Sequence, residues 1–186
     1  VKESKRTGAG PLLEVRHVSL QFGGIKALSD VSLAVAPGEL ISVIGPNGAG
    51  KTSLFNCISG LYRPTSGDIL WQREGIDGLR PDQIAARGIA RTFQNIELFR
   101  HMTTLDNLLL GRHLHMRAGF FAAALSTRHW WRNEVAQRQR VEEIIDMLDL
   151  QSVRHQRVAA LPYGMQKLVE VGRALATEPQ LLLLDE

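Results

Sequence analysis

The sequence has a single cysteine and no long uninterrupted apolar run. Cys57 has no second cysteine with which to form an internal disulfide, and its position in "KTSLFNCISG" predicts a buried, unreactive thiol in a reducing compartment. No apolar run approaches the roughly 20 residues needed to cross a bilayer, and the start "VKESKRTGAG" is positively charged without an apolar segment behind it. We therefore expect neither a membrane-spanning helix nor a secretion signal.

The sequence also lacks a long stretch of consecutive residues with the same charge. Its formal net charge is +3, and the basic residues of "STRHWWRNEVAQRQR" alternate with acidic and apolar residues. We therefore predict no nucleic-acid partner. Hydrophobic residues make up 44% of the 186 residues, which is enough to build a folded core.

Short apolar stretches in the first half predict strands around one helix. In "LLEVRHVSLQF" and "ALSDVSLAV" apolar and polar residues alternate, which predicts a small antiparallel sheet. The continuous apolar run "LISVIG" predicts a buried central parallel strand, and "SGDILWQ" predicts another strand. Between these two lies the predicted helix "KTSLFNCISGL", ended by Gly60 and Pro64. This order of strand, loop, helix and strand is typical of an α/β fold.

The second half is mainly helical in its periodicity. Four apolar residues of "RVEEIIDMLDL" recur at helical spacing: Val141, Ile144, Ile145 and Leu148. They predict a helix with one core-facing side. A later helix in "QKLVEVGRALATEP" is predicted to have Leu168, Val171 and Leu175 on one face, and "LLLLDE" is predicted to form a strand.

The stretch "GPNGAGKTS" matches the phosphate-loop pattern G-x-x-x-x-G-K-[ST]. Its members are Gly45, Pro46, Asn47, Gly48, Ala49, Gly50, Lys51, Thr52 and Ser53. Glycines allow successive N–H groups to point at phosphate oxygens, and the following helix adds the positive end of its dipole. Lys51 is predicted to reach the outer phosphates, and Thr52 to offer its hydroxyl to Mg²⁺. The loop therefore predicts nucleotide binding.

Three further stretches bear on the kind of nucleotide chemistry. The position of Phe22 in "SLQFGG" is consistent with two roles, stacking on a base or packing in the core. Gln94 in "IARTFQN" likewise has two candidate roles, sensing the nucleotide or capping a turn. In phosphate-loop proteins, an apolar strand such as "LLLLDE" places its first acid on Mg²⁺ and its second beside the attacking water. Asp185 is therefore predicted to bind the metal and Glu186 to polarise water.

Taken in order, these residues and motifs resemble the ATP-binding subunits of ABC transporters, over Leu12 to Glu186. The stretches "FGGIKALSDVSL" and "GIARTFQNIELFRHMTTLDNLLLGRH" are most similar to the ATPases of branched-chain amino acid importers. The resemblance implies an α/β fold: a P-loop NTPase (ABC ATPase) core with an N-terminal antiparallel β subdomain and an inserted helical subdomain. We expect residues 1–11 to be a tail and 12–186 a single ABC ATPase domain, with 95–160 as the helical insert.

The resemblance also implies roles for individual residues. It implies that Phe22 packs on adenine and that Gln94 contributes to catalysis, contacts Mg²⁺ and links nucleotide to the membrane subunits. The implied catalytic residues are Lys51, Gln94 and Glu186, and the implied metal ligands are Thr52, Gln94 and Asp185. The signature-like stretch "LPYGMQ" would bring Pro162, Tyr163 and Gly164 against ATP bound by a second copy.

The implied cofactors are ATP and Mg²⁺. The implied partners are integral-membrane permease subunits, a second ATP-binding subunit in a homo- or heterodimer and, indirectly, a periplasmic or extracellular solute-binding protein. The implied location is the cytoplasmic face of the cell membrane, as a peripheral subunit. Two alternatives stay open: another cargo such as urea, an amide or a lipid, and a non-transport ABC ATPase that acts on nucleic acid.

Some features fall outside this pattern. Pro162 stands where family signatures usually have serine, and Met165 where glutamine is common. His113 and His115 lie two residues apart, so on a helix they point to different faces and predict no metal site. Because the chain closes directly after its last apolar run, we expect the C-terminal part of the domain to be missing and this chain alone to be inactive.

Overall fold

A computed structural model of the protein describes residues 10–92, 97–112 and 128–185. The chain divides into two compact units, Val1–Arg87 (the N-terminal unit) and Gly88–Glu186 (the C-terminal unit). In the N-terminal unit the elements are β1 (Leu13–Phe22), β2 (Ile25–Val35), α1 (Lys51–Ile58), β3 (Ser66–Trp71), β4 (Glu74–Gly75) and α2 (Pro81–Ala86). In the C-terminal unit they are β5 (Ile89–Arg91), α3 (Thr104–Gly111), α4 (Arg128–Met147), α5 (Tyr163–Leu175) and β6 (Leu181–Leu183). Short 3₁₀ helices cover Gln151–Val153 and Val158–Ala160.

The N-terminal unit contains an antiparallel sheet of order β2-β1-β3-β4. Four apolar side chains of β1 are buried: Leu13, Val15, Val18 and Leu20. Their spacing of two residues is interrupted once, at the irregularity between Val15 and Val18. Strands β1 and β2 pair from Leu13 opposite Val35 to Phe22 opposite Ile25 and are joined by a two-glycine turn. Gly23 in that turn has φ +54°, a value that glycine adopts without strain. The predicted antiparallel sheet is confirmed.

Helix α1 follows the phosphate loop as the sequence predicts. It buries Leu54, Cys57 and Ile58. Burial raises the pKa of the Cys57 thiol to about 11, because the thiolate is disfavoured where water is excluded. The prediction of a buried thiol is confirmed, and the raised pKa disfavours the thiolate, which is the reactive form.

The predicted central strand "LISVIG" is wrong for this structure. Residues 40–45 have no strand conformation, and the side chains of Leu40 and Ile44 are each 93% exposed. An extended segment becomes a strand only when its N–H and C=O groups pair with a neighbour. Among the described residues, no strand pairs with this segment. The apolar residues of this segment favour β structure, but a strand also needs hydrogen bonds to a neighbouring strand.

In the C-terminal unit, helices surround an apolar core beside the parallel pair β5 and β6. The buried core residues are Leu98, Leu108, Val141, Ile144, Ile145, Leu150, Val158, Leu161, Val169 and Ala176. Of the four residues predicted to face the core from one helix, three belong to α4 and are in this set. The fourth, Leu148, directly follows α4 and packs against the core. No helix in the described ranges is both long enough and apolar enough to cross a membrane.

The apolar face predicted for α5 is covered only in part. Leu168 is 38% exposed, whereas Leu175 packs against the core. The residues that the helix buries most fully include Val169 and Gly172. A Cβ on Gly172 would come within 3.1 Å of Leu148 Cδ1 and 3.3 Å of Leu108 Cδ2. Gly111 of α3 likewise lies directly against the backbone of α5. Because the segments approach this closely, glycine is the residue that fits at these two contacts.

Candidate nucleotide-binding site

The phosphate loop has a backbone shape that depends on glycine. Gly48 and Gly50 have φ of +81° and +89°, in the left-handed region that other residues rarely adopt. Gly50 is also the N-cap of α1. A Cβ at this position would lie 2.5 Å from the carbonyl oxygen of Ala27 and 2.9 Å from Leu28 Cδ2. Both the dihedral angle and the packing against β2 therefore require glycine here.

Lys51 folds its side chain back over the loop. Its Nζ donates hydrogen bonds to the carbonyl oxygens of Gly45 at 2.5 Å and Pro46 at 2.9 Å. The helix that follows has no acidic residue in its first turn and no side-chain cap at its N-terminus. The Lys51 ammonium group and the positive end of the helix dipole thus lie in one short segment. The first turn of α1 has no carboxylate that could neutralise them. This arrangement suits polyphosphate.

Phe22 lies at the end of β1 and is 47% exposed. Its ring meets the ring of Tyr62 edge to face, with centroids 5.1 Å apart and planes at 75°. The backbone N–H of Tyr62 donates to the carbonyl of Asn56 at 3.1 Å, and this hydrogen bond holds Tyr62 next to the end of α1. The sequence left Phe22 as either a core or a base-stacking residue. Its exposure leaves part of the aromatic surface open to a ligand, and sequence reasoning missed the contact with Tyr62.

The signature-like stretch "LPYGMQ" begins α5. Pro162 is the N-cap with φ −56° and ψ 151°, and its carbonyl accepts the first helical bond from Gln166 N–H at 3.0 Å. A proline fits there because it has no N–H to leave unpaired. Tyr163 is 66% exposed, and no atom lies within 4 Å of a Cβ placed on Gly164. The start of this helix is thus open to a ligand or a partner.

Asp185 is held in the C-terminal unit by a residue that sequence reasoning missed. Arg91 Nη2 donates to Asp185 Oδ2 at 2.8 Å, and the two side chains are 5% and 8% exposed. The backbone N–H of Asp185 also points at Thr92 Oγ1, 3.3 Å away. The signal in the sequence was an arginine in the otherwise apolar strand "GIAR", since a buried arginine requires a carboxylate partner.

Four predicted positions lie outside the described residues. Gln94 and Glu186, with their predicted catalytic roles, are two of them. His113 and His115 are the others. The roles of Gln94 and Glu186 stay predictions.

The residues present fit ATP and Mg²⁺. In the described part of the chain no cluster of three or more His, Cys, Asp or Glu side chains could hold a metal by itself. Mg²⁺ does not need such a cluster, because it is usually bound through one or two protein oxygens together with phosphates and water. The Thr52 hydroxyl and the Asp185 carboxylate are each a hard oxygen donor of this kind.

Comparison with known proteins assigns the family. The ABC transporter family matches residues 28–186. The "High-affinity branched-chain amino acid transport ATP-binding protein LivG" of Escherichia coli K12 is 40% identical over 176 residues, which are 95% of this chain and 69% of LivG. The chain belongs to the ABC transporter family and is one of its nucleotide-binding ATPases.

Solved structures agree with this assignment. A nucleotide-free ATP-binding cassette from an ABC transporter superimposes with a TM-score of 0.77 at 31% identity, covering 95% of this chain and 69% of the cassette. A dimeric ATP-binding cassette bound to ADP and Pi superimposes with a TM-score of 0.75 at 26% identity, covering 94% and 73%. The fold class predicted from the sequence is confirmed.

Proposed function

We propose that this chain is the ATP-hydrolysing subunit of a membrane importer for branched-chain amino acids, and that it couples ATP binding and hydrolysis to transport. The observation that carries the ATPase assignment is the phosphate loop, whose shape depends on Gly50 and whose ammonium group comes from Lys51. The similarity to LivG, which is a branched-chain amino acid transport protein, supports the cargo.

The phosphate loop and several residues outside it have roles in this proposal. The backbone N–H groups of the loop, of which Pro46 has none, and the ammonium of Lys51 bind the phosphates, and Phe22 stacks on the adenine ring. Thr52, Gln94 and Asp185 hold Mg²⁺, which when bound neutralises phosphate charge and orients the outer phosphate for attack. Glu186 polarises the attacking water. Lys51 stabilises the charge that builds on the transferred phosphoryl group.

A second ATP-binding subunit completes the site in this proposal. The open helix start at Pro162, Tyr163 and Gly164 meets ATP bound to that other subunit, and the dimeric cassette bound to ADP and Pi supports such an arrangement. The subunit works as a peripheral protein at the cytoplasmic face of the membrane, attached to permease subunits. A solute-binding protein delivers the cargo to the permease from outside.

The test of this function is reconstitution. The protein is assembled in proteoliposomes with the permease subunits, the second ATPase and the solute-binding protein of its own transport system. We expect leucine, isoleucine or valine to stimulate ATP hydrolysis and to accumulate in the vesicles. Stimulation by urea, an amide or a lipid instead would assign another cargo, and association with nucleic acid in place of the permease would contradict the transport function.

Phe22→Ala should weaken ATP binding by roughly tenfold, because stacking of a base on an aromatic ring contributes about 1–3 kcal/mol. Phe22→Tyr keeps an aromatic face and should bind ATP as the parent does. Calorimetry measures both, with pyrophosphate as a ligand that has no base. If Phe22→Ala weakens pyrophosphate binding as much as ATP binding, Phe22 supports the fold and does not contact the base.

Pro162→Ser should raise ATP turnover of the complete transporter by about tenfold. A serine hydroxyl at this N-cap adds a donor for the γ-phosphate held by the opposite subunit, and a hydrogen bond to a charged group contributes roughly 1.5–3 kcal/mol. The melting temperature should not fall, since serine is a favoured N-cap residue. Pro162→Ala is the control without a hydroxyl. Equal turnover of the serine and alanine variants at saturating ATP would mean that the hydroxyl contributes nothing.

A further inference from the structure

The ion pair between Arg91 and Asp185 is built into the fold of the C-terminal unit. Arg91 is the last residue of β5 and lies opposite Leu183 in the parallel pair with β6. Two residues further on, Asp185 meets the guanidinium group at 2.8 Å. The ladder between the two strands sets their register and so brings the segment that carries Asp185 alongside Arg91.

Stability alone does not explain this pair. Both side chains are almost fully buried, at 5% and 8% exposure. Removing two charges from water is so unfavourable that a buried ion pair is often no more stable than an apolar pair of the same size. Removing only one partner, in contrast, leaves an uncompensated buried charge. If the aspartate is present in order to bind Mg²⁺, its buried carboxylate needs another positive charge beside it whenever the metal is absent.

We propose that Arg91 is a resident counter-ion that holds Asp185 when no metal is bound and competes with Mg²⁺ for the same carboxylate. The inference rests on the proposed role of Asp185 as a metal ligand. In the nucleotide-free protein, Arg91 keeps the buried carboxylate neutralised and the end of β6 in place. When Mg²⁺ arrives with the nucleotide, the carboxylate is shared between two cations that repel each other.

Two consequences follow for the bound and the free protein. The free protein does not suffer the instability of a naked buried carboxylate after the nucleotide has left. The metal binds less tightly than it would to an uncompensated aspartate, which assists its release after hydrolysis. Arg91 is therefore a positioning residue that tunes the affinity for Mg²⁺ and has no direct contact with the reacting atoms.

Two variants test the charge of Arg91 separately from its hydrogen bond, and a third removes the carboxylate. Arg91→Gln keeps a donor for Asp185 but removes the charge, whereas Arg91→Lys keeps the charge. Asp185→Asn removes the metal-binding carboxylate. The measurements are the melting temperature without metal and the affinity for Mg²⁺ in the presence of a fixed concentration of ADP, read by calorimetry and by the metal-dependent shift in melting temperature.

Arg91→Gln should melt about 10 °C lower than the parent without metal, because a broken buried pair is strongly destabilising. Its affinity for Mg²⁺ should be about tenfold tighter, and added Mg²⁺ should recover most of the lost melting temperature. Arg91→Lys should bind Mg²⁺ like the parent. An affinity of Arg91→Gln equal to or weaker than that of the parent overturns the proposal, since Arg91 would then not compete with the metal.

If Arg91→Gln does not fold, the double variant R91Q/D185N decides. Both charges are then absent, so the proposal requires that folding returns, and a double variant that stays unfolded overturns it. Failure of the proposed function has a different signature. If the parent shows no Mg²⁺-dependent binding of ADP, the nucleotide assignment is wrong; if the parent binds and Arg91→Gln does not differ from it, only the inference about Arg91 is wrong.

Discussion

Lys51→Ala should weaken ATP binding by about a hundredfold. The Lys51 ammonium lies over the loop on the carbonyl oxygens of Gly45 and Pro46, where it can bond phosphate oxygens directly. Two hydrogen bonds between charged groups contribute roughly 3 kcal/mol together, and every 1.4 kcal/mol changes a dissociation constant about tenfold. Calorimetry with ATP and Mg²⁺ measures the loss.

Lys26→Ala is the matched control for this variant. Lys26 is an exposed lysine on β2 of the same unit, so its removal changes the net charge by the same amount. Its ATP affinity should stay within about twofold of that of the parent, since the charge of an exposed side chain is screened by water and salt. If the two variants lose affinity equally, the effect is one of overall charge and Lys51 does not bind phosphate. An unchanged affinity in Lys51→Ala would contradict the loop assignment itself.

Gly50→Ala should destabilise the N-terminal unit by about 3 kcal/mol and abolish measurable ATP binding. A left-handed conformation costs a residue with a Cβ roughly 1–2 kcal/mol. The added Cβ would also lie 2.5 Å from the carbonyl oxygen of Ala27, and a backbone atom of β2 cannot move aside as a flexible side chain could. The loop must therefore shift, which displaces the amides that bind phosphate. Urea denaturation monitored by circular dichroism measures the loss of stability, and calorimetry measures the loss of ATP binding.

Gly24→Ala is the control for the glycine substitution. A Cβ on Gly24 would meet no atom within 4 Å. Gly24→Ala should change the free energy of unfolding by less than about 0.5 kcal/mol and leave ATP binding intact. Parent-like stability and affinity in Gly50→Ala would mean that the loop relaxes at no cost and that its shape does not depend on glycine.

Much of the candidate site could be predicted from the sequence because its chemistry is local. The spacing of Gly45, Gly50, Lys51 and Thr52 defines a loop of a few residues before a helix, and the structure places α1 where this spacing predicts it. The buried faces of β1 and α4 follow from periods of two and about 3.6 residues, which each segment carries by itself.

The rest could not be predicted, because it depends on which segments meet. The arginine in "GIAR" indicates a carboxylate partner but does not indicate Asp185, 94 positions away, and nothing near Phe22 indicates Tyr62. The sequence places Leu168, Val171 and Leu175 on one face of α5, but the structure buries Val169 and Gly172 more fully and leaves Leu168 exposed. The apolar run at residues 40–45 has β propensity, yet a strand also needs a neighbour.

The sequence by itself determined the phosphate loop, the helix behind it and the family, since glycine dihedral angles, a lysine and short-range periodicity are properties of a continuous segment. Only the tertiary structure decided that a buried arginine neutralises Asp185, which face of α5 is covered and whether an apolar run is paired. The physical reason is that ion pairing, close packing and strand pairing are interactions between distant segments. Their free energy depends on a geometry that no single segment contains.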